Sequence, residues 1–190
     1  MDWAKSDLEL FPMTVELHRL IRDNSKDDAE YKRYVDSLKS SVLTAFYTPK
    51  EVTDTLVTVL KEYNVTPSKV LEPSAGMGAF ILSVKEQSPQ ADVMAFEKDL
   101  LTGKLLSHLY PGEKIRVEGF EKIEKPFNGS FDLAVSNIPF GEMAVFDPAF
   151  ASSDSFGRKS AQKAVHNYFF LKDLIRSGKA VSWRSLHPKG

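Results

Sequence analysis

The sequence predicts an α/β fold in which helices cover both faces of a parallel sheet, with a helical segment in front of it. From Ser68 onward, short apolar runs alternate with helical stretches, which is the order that builds a doubly wound sheet. Before about residue 64, apolar residues recur at three- and four-residue spacing, without strand-like alternation. We therefore expect a helical segment over residues 1–66 and the α/β domain over residues 67–190.

Three helices are predicted in the first segment. Thr48 can cap the third of them, and Pro49 suits its first position. Pro67 ends the helical region. The apolar faces of the three helices would comprise Val15, Leu17, Leu20 and Ile21, then Tyr31, Tyr34, Val35 and Leu38, and finally Val52, Leu56, Val59 and Leu60.

Strands and helices then alternate. Strands are predicted at residues 69–72, 91–97, 114–118 and 131–136, and helices at 78–87, 98–110 and 162–176. The stretch from about 137 to 160 is rich in Pro, Gly, Ser, Asp and Phe and has no periodicity, which predicts a functional loop. Residues 180–183 could open a fifth strand. Ligands of such a sheet bind at the carboxyl ends of its strands.

Composition excludes several classes of function. The chain has 190 residues, of which 27% are charged, as expected for one globular domain with a small accessory segment. No apolar run approaches the roughly 20 residues of a membrane span, and the start Met1-Asp2-Trp3 is unlike a signal peptide. We expect a soluble cytoplasmic protein that does not contact a membrane. The absence of cysteine and the scattered spacing of four histidines predict no metal site.

Charge is unevenly distributed. The net charge is −1, yet residues 158–190 hold eight Lys and Arg against Asp173 alone, an excess of seven positive charges. A cationic tail could contact phosphates. A solvated helix face with a frayed end is the alternative interpretation.

A glycine-containing turn between a strand and a helix is the candidate cofactor site. Gly76 and Gly78 let the backbone pass close to a ligand. Ile81 stands where an NAD-type fingerprint requires a third glycine, so the dinucleotide interpretation is disfavoured. Glu97 follows the second strand, 21 residues after Gly76, where it could accept hydrogen bonds from both hydroxyls of a ribose. A tight turn without a ligand remains the alternative.

The fourth strand runs directly into Asn137, Ile138, Pro139 and Phe140. An exocyclic aromatic amine is a poor nucleophile because its lone pair is delocalised into the ring. The Asn137 side-chain oxygen and the Ile138 carbonyl could accept the two amino hydrogens, Pro139 would fix the turn, and Phe140 could stack on a flipped base. A purely structural turn is the alternative, but the position at the edge that carries the glycine turn favours a catalytic site.

These segments resemble the motifs of γ-class N6-adenine DNA methyltransferases, which include type I restriction-modification methylation subunits. The segment 72–78 (EPSAGMG) resembles motif I, and residues 137–140 resemble the NPPF or NPPY motif IV. Residues 46–49 (FYTP) precede motif I and are similar to motif X. SNIPFG followed by VFDP is similar to methylase modules of large helicase-methylase proteins of conjugative elements and phages.

The resemblance implies a Rossmann-like sheet, the cofactor S-adenosylmethionine, and methyl transfer to the N6 amino group of adenine in DNA. It assigns the methionine end of the cofactor to the region of Thr48, the ribose to Glu97, and the flipped adenine to Asn137, Ile138 and Phe140 of motif IV, in which Pro139 fixes the turn. Ile138 replaces the first proline of motif IV, and Gly119 stands where motif III usually has Asp. The implied cofactor-binding residues are Tyr47, Thr48, Glu72, Pro73, Ser74, Gly76, Gly78, Phe80, Glu97 and Phe120.

Two alternatives to an active DNA methyltransferase stay open. Methylation of a protein glutamine uses a similar Asn-Pro motif, because an amide nitrogen has the same delocalised lone pair. A truncated or degenerate module could bind the cofactor without turnover. Family members continue after the helix near Arg176 with further strands, whereas residues 180–184 are brief and polar. We expect a domain that is truncated on this side and has no target-recognition domain. We expect an incomplete sheet that needs a specificity subunit or the rest of a larger polypeptide.

Overall fold

The computed structural model describes residues 5–44, 48–138 and 143–177, in two compact units, Met1–Ala45 and Phe46–Gly190. The first unit contains α1 (Lys5–Asp23) and α2 (Asp28–Thr44). The Arg22 guanidinium lies 3.6 Å from the ring centre of Tyr31, which joins the two helices. Of the apolar stripe predicted on α1, Ile21 is buried, whereas Val15, Leu17 and Leu20 are exposed.

The second unit confirms the predicted α/β fold. Its strands form one parallel sheet in the order β3-β2-β1-β4. The elements are α3 (Lys50–Glu62), β1 (Lys69–Glu72), α4 (Ala79–Gln87), β2 (Asp92–Phe96), α5 (Leu100–Leu109), β3 (Lys114–Arg116), β4 (Leu133–Ala134), α6 (Pro148–Ala151), α7 (Phe156–Ala161) and α8 (Val165–Ser177), with short 3-10 turns at Phe120–Lys122 and Lys125–Phe127.

Helices cover both faces of the sheet. Successive strand residues point to opposite faces, and each set packs against a different group of helices. On β1, Val70 joins the core cluster formed with α3, α4 and α5. Its neighbour Leu71 joins the second core cluster, formed with α6, α7 and α8. β2 alternates in the same way, with Val93 in the first cluster and Met94 in the second. The doubly wound arrangement is therefore confirmed.

Two local predictions were wrong. Pro49, not Thr48, precedes the first residue of α3, and no side chain caps that helix. The Thr48 hydroxyl instead accepts a hydrogen bond from the side chain of Asn137. The helix ends at Glu62 rather than near Pro67, because Asn64 takes a positive φ of 51° and turns the chain.

The stretch predicted to be a loop contains two short helices. The Asp147 carboxylate accepts hydrogen bonds from the first amides of α6, and the Ser155 hydroxyl caps α7. Helices of 4 and 6 residues are too short for an apolar period to reveal them. Residues 180–183, the predicted fifth strand, lie outside the part that the structure describes. No helix in the described ranges is long and apolar enough to span a bilayer.

A buried ion pair joins three segments of the second unit. The Lys172 ammonium lies 2.6 Å from the Asp147 carboxylate, and each side chain is 1% exposed. Lys172 also donates to the hydroxyl of Tyr168 and to the carbonyl of Glu121, while the Tyr168 hydroxyl donates to Asp147. Every donor of the ammonium is satisfied, as a buried charge requires. The pair thus connects α8 to the start of α6 and to the turn after β3.

This burial corrects the interpretation of the cationic tail. Lys172 and Arg176 are buried, so they are unavailable to a phosphate. Arg176 donates to the side chain of Asn128 and to the carbonyl of Ile123. The last three cations of the tail lie beyond the described residues. Among the described residues of the tail, the exposed cations are Arg158, Lys159 and Lys163.

Replacing Lys172 with Met should lower the free energy of unfolding by about 3–5 kcal/mol, because Asp147 would be left as an uncompensated buried charge. Burial by itself raises the pKa of Asp147, but hydrogen bonds from Lys172 and Tyr168 hold it below its ordinary value. Denaturant unfolding measures the change. Lys159→Met, at an exposed position, is the control, and Asp147→Asn added to Lys172→Met should recover part of the loss. Equal stability of Lys172→Met and Lys159→Met would contradict the prediction.

Candidate functional site

The turn after β1 is shaped by its two glycines. Gly76 and Gly78 have φ values of 54° and 79°, in the region that favours glycine. The Ala75 amide donates to the Phe96 carbonyl at 2.9 Å, which ties the turn to the end of β2. A Cβ atom at Gly76 would meet nothing within 4 Å, whereas one at Gly78 would lie 2.5 Å from the Tyr110 ring. Gly76 therefore faces open space, and Gly78 allows close packing against α5.

Glu97 lies against this turn, as its position after β2 predicts. Its Oε2 accepts from the Gly76 amide at 2.8 Å, and its Oε1 accepts from the Asp99 amide at 2.7 Å. Burial raises the pKa of Glu97, although these hydrogen bonds oppose the shift. Each carboxylate oxygen retains capacity for a further donor. The side chain can therefore bind a hydroxyl-bearing ligand while it holds the turn.

Glu72, at the end of β1, is 1% exposed. Its Oε2 has no hydrogen-bond partner among the residues that the structure describes. Burial, together with repulsion from Glu97, raises the pKa of Glu72 well above its ordinary value, and a hydrogen bond from the Ile81 amide only partly opposes this. A buried carboxyl oxygen without a hydrogen-bond partner is costly, and a buried acid with a raised pKa is typical of a functional site.

Asn137 reaches the same edge of the sheet. Beyond β4, the Val135 amide donates to the Leu71 carbonyl at 3.0 Å, so the chain stays aligned with β1. The Ser136 hydroxyl lies 3.5 Å from the Ser74 carbonyl, in the glycine turn. Asn137 donates through Nδ2 to the Thr48 hydroxyl at 3.3 Å. This leaves the Asn137 Oδ1 without a partner in the described ranges, so it is available as an acceptor.

Three segments that are distant in sequence therefore meet: Thr48, the turn that contains Pro73 and Ser74, and the residues after β4. The side chain of Ile138 packs against the second core cluster, which fixes its backbone. Tyr47, Pro139 and Phe140 lie outside the described residues, so their predicted roles stay predictions.

Two predicted ligand-binding rings are core residues. Phe80 is 5% exposed in the first cluster, and Phe120 is 2% exposed in the second. The Phe120 ring centre lies 5.5 Å from those of Phe96 and Phe169. Both rings are thus occupied by packing and present little surface to a ligand, and their contact with a cofactor stays a prediction.

Several contacts were not predicted. Nothing in the local pattern indicates that Thr48 and Asn137, 89 residues apart, share a hydrogen bond. The Tyr110 hydroxyl donates to the Gly78 carbonyl at 3.1 Å and supports the glycine turn from α5. Tyr168 and Lys172 lie four residues apart on α8, which places them on one face, but the buried Asp147 between them has no such signal.

Comparisons with known proteins agree with this geometry. The N-6 DNA Methylase family model matches residues 33–181. The chain is 34% identical over 144 residues to Defense against restriction protein B of Escherichia phage P1, covering 72% of this chain and 6% of that protein. It is 25% identical over 143 residues to the Type II methyltransferase M.XamI of Xanthomonas campestris pv. amaranthicola, covering 69% of this chain and 27% of that protein.

A solved structure shares the fold. The modification subunit of a type I restriction enzyme from Vibrio vulnificus YJ016 superposes with a TM-score of 0.55 at 15% identity, covering 93% of this chain and 37% of that one. The chain thus spans 27% or less of the curated relatives that it matches.

Glu72 should make stability depend on pH. Because its pKa is raised, the folded chain keeps a proton that the unfolded carboxyl group releases above its ordinary value of 4.5. Stability from this group is therefore full below that value and is lost as the pH rises toward the folded pKa. Glu72→Gln should reduce the loss of unfolding free energy between about pH 5 and about pH 8. Denaturant unfolding at both pH values measures the unfolding free energy, and Glu86→Gln, at an exposed position, serves as control. Equal pH dependence of stability in the two variants would contradict the prediction.

Proposed function

This chain belongs to the N-6 DNA methylase family, and we propose that it forms the cofactor-binding and catalytic half of an enzyme that methylates the N6 amino group of adenine in DNA. One observation carries the proposal. Asn137 stands at the carboxyl edge of the sheet with its amide held 3.3 Å from Thr48 and its Oδ1 available. The glycine turn lies beside it, through the contact of Ser136 with Ser74.

The residues of this edge suit S-adenosylmethionine, which when bound supplies a methyl group on a positively charged sulfonium. Its methionine end carries an ammonium group, and the Oε2 of the buried Glu72 lacks a hydrogen-bond partner in the described ranges. Its ribose carries two hydroxyls, and Glu97 can accept hydrogen bonds from both while it holds the turn. The open space at Gly76 lets the ligand approach the backbone.

Asn137 would act on the target amine. An aniline-like nitrogen attacks poorly, so the site must draw its lone pair out of conjugation. The Asn137 Oδ1 and the Ile138 carbonyl oxygen would accept hydrogen bonds from its two hydrogens, and their partial negative charges would stabilise the positive charge that develops on the nitrogen as it takes the methyl group. The sulfur would keep the electron pair of its broken bond to the methyl carbon, and the methylated amine would then lose one of its two hydrogens as a proton. Because Thr48 and the core fix these two acceptors beforehand, little reorganisation accompanies the reaction.

Recognition of a DNA sequence would come from elsewhere. The matched relatives are far longer than this chain, which spans 6% of the phage P1 protein and 27% of M.XamI. We therefore propose that a specificity subunit, or the rest of a larger polypeptide, selects the adenine that this edge of the sheet methylates.

The decisive measurement is transfer of a labelled methyl group from S-adenosylmethionine to oligonucleotides with and without adenine. Wild type should label the adenine-containing DNA, and Asn137→Ala should lower the rate by about 10²–10³-fold, because one of two acceptors is lost. Calorimetry should show unchanged cofactor affinity for Asn137→Ala, since the residue binds the amine rather than the cofactor.

Other outcomes identify the alternatives. Labelling of a glutamine-containing protein substrate instead of DNA would replace the proposal with amide methylation. Cofactor binding without transfer to any acceptor, even with a specificity partner present, would indicate a binding module without turnover. Failure to bind the cofactor would defeat every methyltransferase interpretation.

Thr48 should act as a positioning residue for Asn137. Thr48→Val removes the hydroxyl that orients the amide, so kcat should fall roughly 2- to 12-fold, the value of one hydrogen bond. The pH profile should be unchanged. Thr48→Ser keeps the hydroxyl and should restore the rate, which a purely packing role of the Thr methyl group would not allow. A Val variant with wild-type kcat would show that the hydrogen bond does not matter.

A further inference from the structure

We propose that an exposed aromatic and basic surface on α7 and the residues before α6 binds an unpaired DNA strand beside the target base. The proposal rests on the proposed function. We call this the α7 surface and define it by Phe146, Phe156, Arg158, Lys159 and Lys163.

Two hydrogen bonds to Gln162 hold the segment around Phe146 beside the end of α7. The Val145 amide donates to the Gln162 carbonyl at 2.9 Å, and the Asp147 amide donates to the Gln162 side chain at 2.8 Å. Gln162 directly follows α7, so Phe146 lies beside the end of that helix. Phe156 opens α7, and a helix of 6 residues is about 9 Å long. The two rings thus stand at opposite ends of one short helix.

Both rings point to solvent. Phe146 is 75% exposed and Phe156 is 84% exposed. Val145 and Asp147, on either side of Phe146, face the core, and in an extended segment the residue between them must face outward. These are the two highest values among the exposed large apolar side chains of the described residues, and exposed apolar side chains that group together beside polar residues mark interaction sites. The exposure of both rings therefore indicates a binding surface.

The charge of this surface fits a nucleic acid. In the described residues, Arg158, Lys159 and Lys163 form no ion pair, whereas the tail cations Lys172 and Arg176 are buried. Asp154 is the neighbouring carboxylate, which leaves a net excess of two positive charges between residues 154 and 163. The positive charge of the tail that is accessible in the described chain is thus concentrated here.

The α7 surface and the candidate site adjoin the same core cluster. Ile138, Val145, Phe150 and Ala161 pack in the same core cluster, on the sheet face that α6, α7 and α8 cover. Asn137 and Phe146 are thus each next in sequence to a residue that packs against this cluster. A strand that presents a base to Asn137 would have its neighbouring nucleotides close to this surface.

An unpaired strand suits the surface better than a duplex. Aromatic side chains stack on bases of any sequence once the bases are unstacked, while cations follow the phosphates. In a duplex the base faces are hidden, so the two rings would have nothing to stack on. A single-stranded substrate presents such unpaired bases on both sides of the target adenine.

Fluorescence anisotropy with labelled single-stranded oligo(dT) tests the proposal, because thymine lacks the N6 amino group and avoids the methylation site. The full chain should bind the single strand more tightly than a duplex of equal length. Each lost stack should weaken binding by about 5- to 150-fold. The double variant Phe146→Ser with Phe156→Ser should therefore bind at least about 5-fold more weakly than wild type. Lys159→Gln with Lys163→Gln should lower the slope of log affinity against log salt by about 1.4.

Matched controls lie on the opposite face of the sheet. Leu82→Ser with Leu109→Ser removes two exposed apolar side chains from α4 and α5, and Lys61→Gln with Lys104→Gln removes two exposed lysines. Neither pair should change binding. All four variants are at exposed positions, and equal melting temperatures would verify their folding.

Preference for the duplex, no binding of the single strand, or equal effects of the α7 and control variants would each overturn the proposal. Cofactor affinity distinguishes this failure from that of the proposed function. A chain that binds S-adenosylmethionine and methylates adenine but ignores oligo(dT) overturns the α7 surface alone. A chain that binds oligo(dT) but has no cofactor affinity overturns the proposed function.

Discussion

The parallel pairing of β1 with both β2 and β4 is the constraint on which the candidate site depends. Glu72 aligns with Ala95 on one side of β1, and Leu71 aligns with Ala134 on the other. Because parallel strands end at the same edge, each chain leaves the sheet beside the others. That pairing brings Glu72 to the same edge as Glu97 and Asn137, which follow it by 25 and 65 positions. The hydrogen bonds of Ala75 to Phe96 and of Val135 to Leu71 extend the alignment past the strand ends.

Buried charge is used in two opposite ways in the second unit. Lys172 and Asp147 neutralise each other and connect α8 with the start of α6 and with the turn after β3, so the pair supports a single arrangement of these segments. Glu72 and Glu97 do the reverse, because burial raises the pKa of each carboxyl group and Glu97 raises the pKa of Glu72 further. Buried acids with raised pKa values are typical of functional sites.

Burial decides which positive charges of the chain are accessible to a nucleic acid. A net charge of −1 gives the chain no general attraction to DNA. The tail appears strongly cationic in sequence, but two of its cations hold the core together. In the described part of the tail, the cations that could attract a phosphate are confined to α7 and its end. A few cations beside exposed aromatic rings suit the positioning of a short strand better than the tight binding of long DNA.

The sequence by itself determined the fold class, because strand and helix periods alternate after Ser68, and it located the glycine turn, Glu97 and the Asn137 segment. Local patterns carry that information since backbone conformation depends on neighbouring residues. Only the tertiary structure decided that Thr48 orients Asn137 instead of capping a helix, that Phe80 and Phe120 belong to the core, and that Lys172 is a buried partner of Asp147. These outcomes depend on which distant side chains occupy the same volume, and that is set by packing rather than by spacing along the chain.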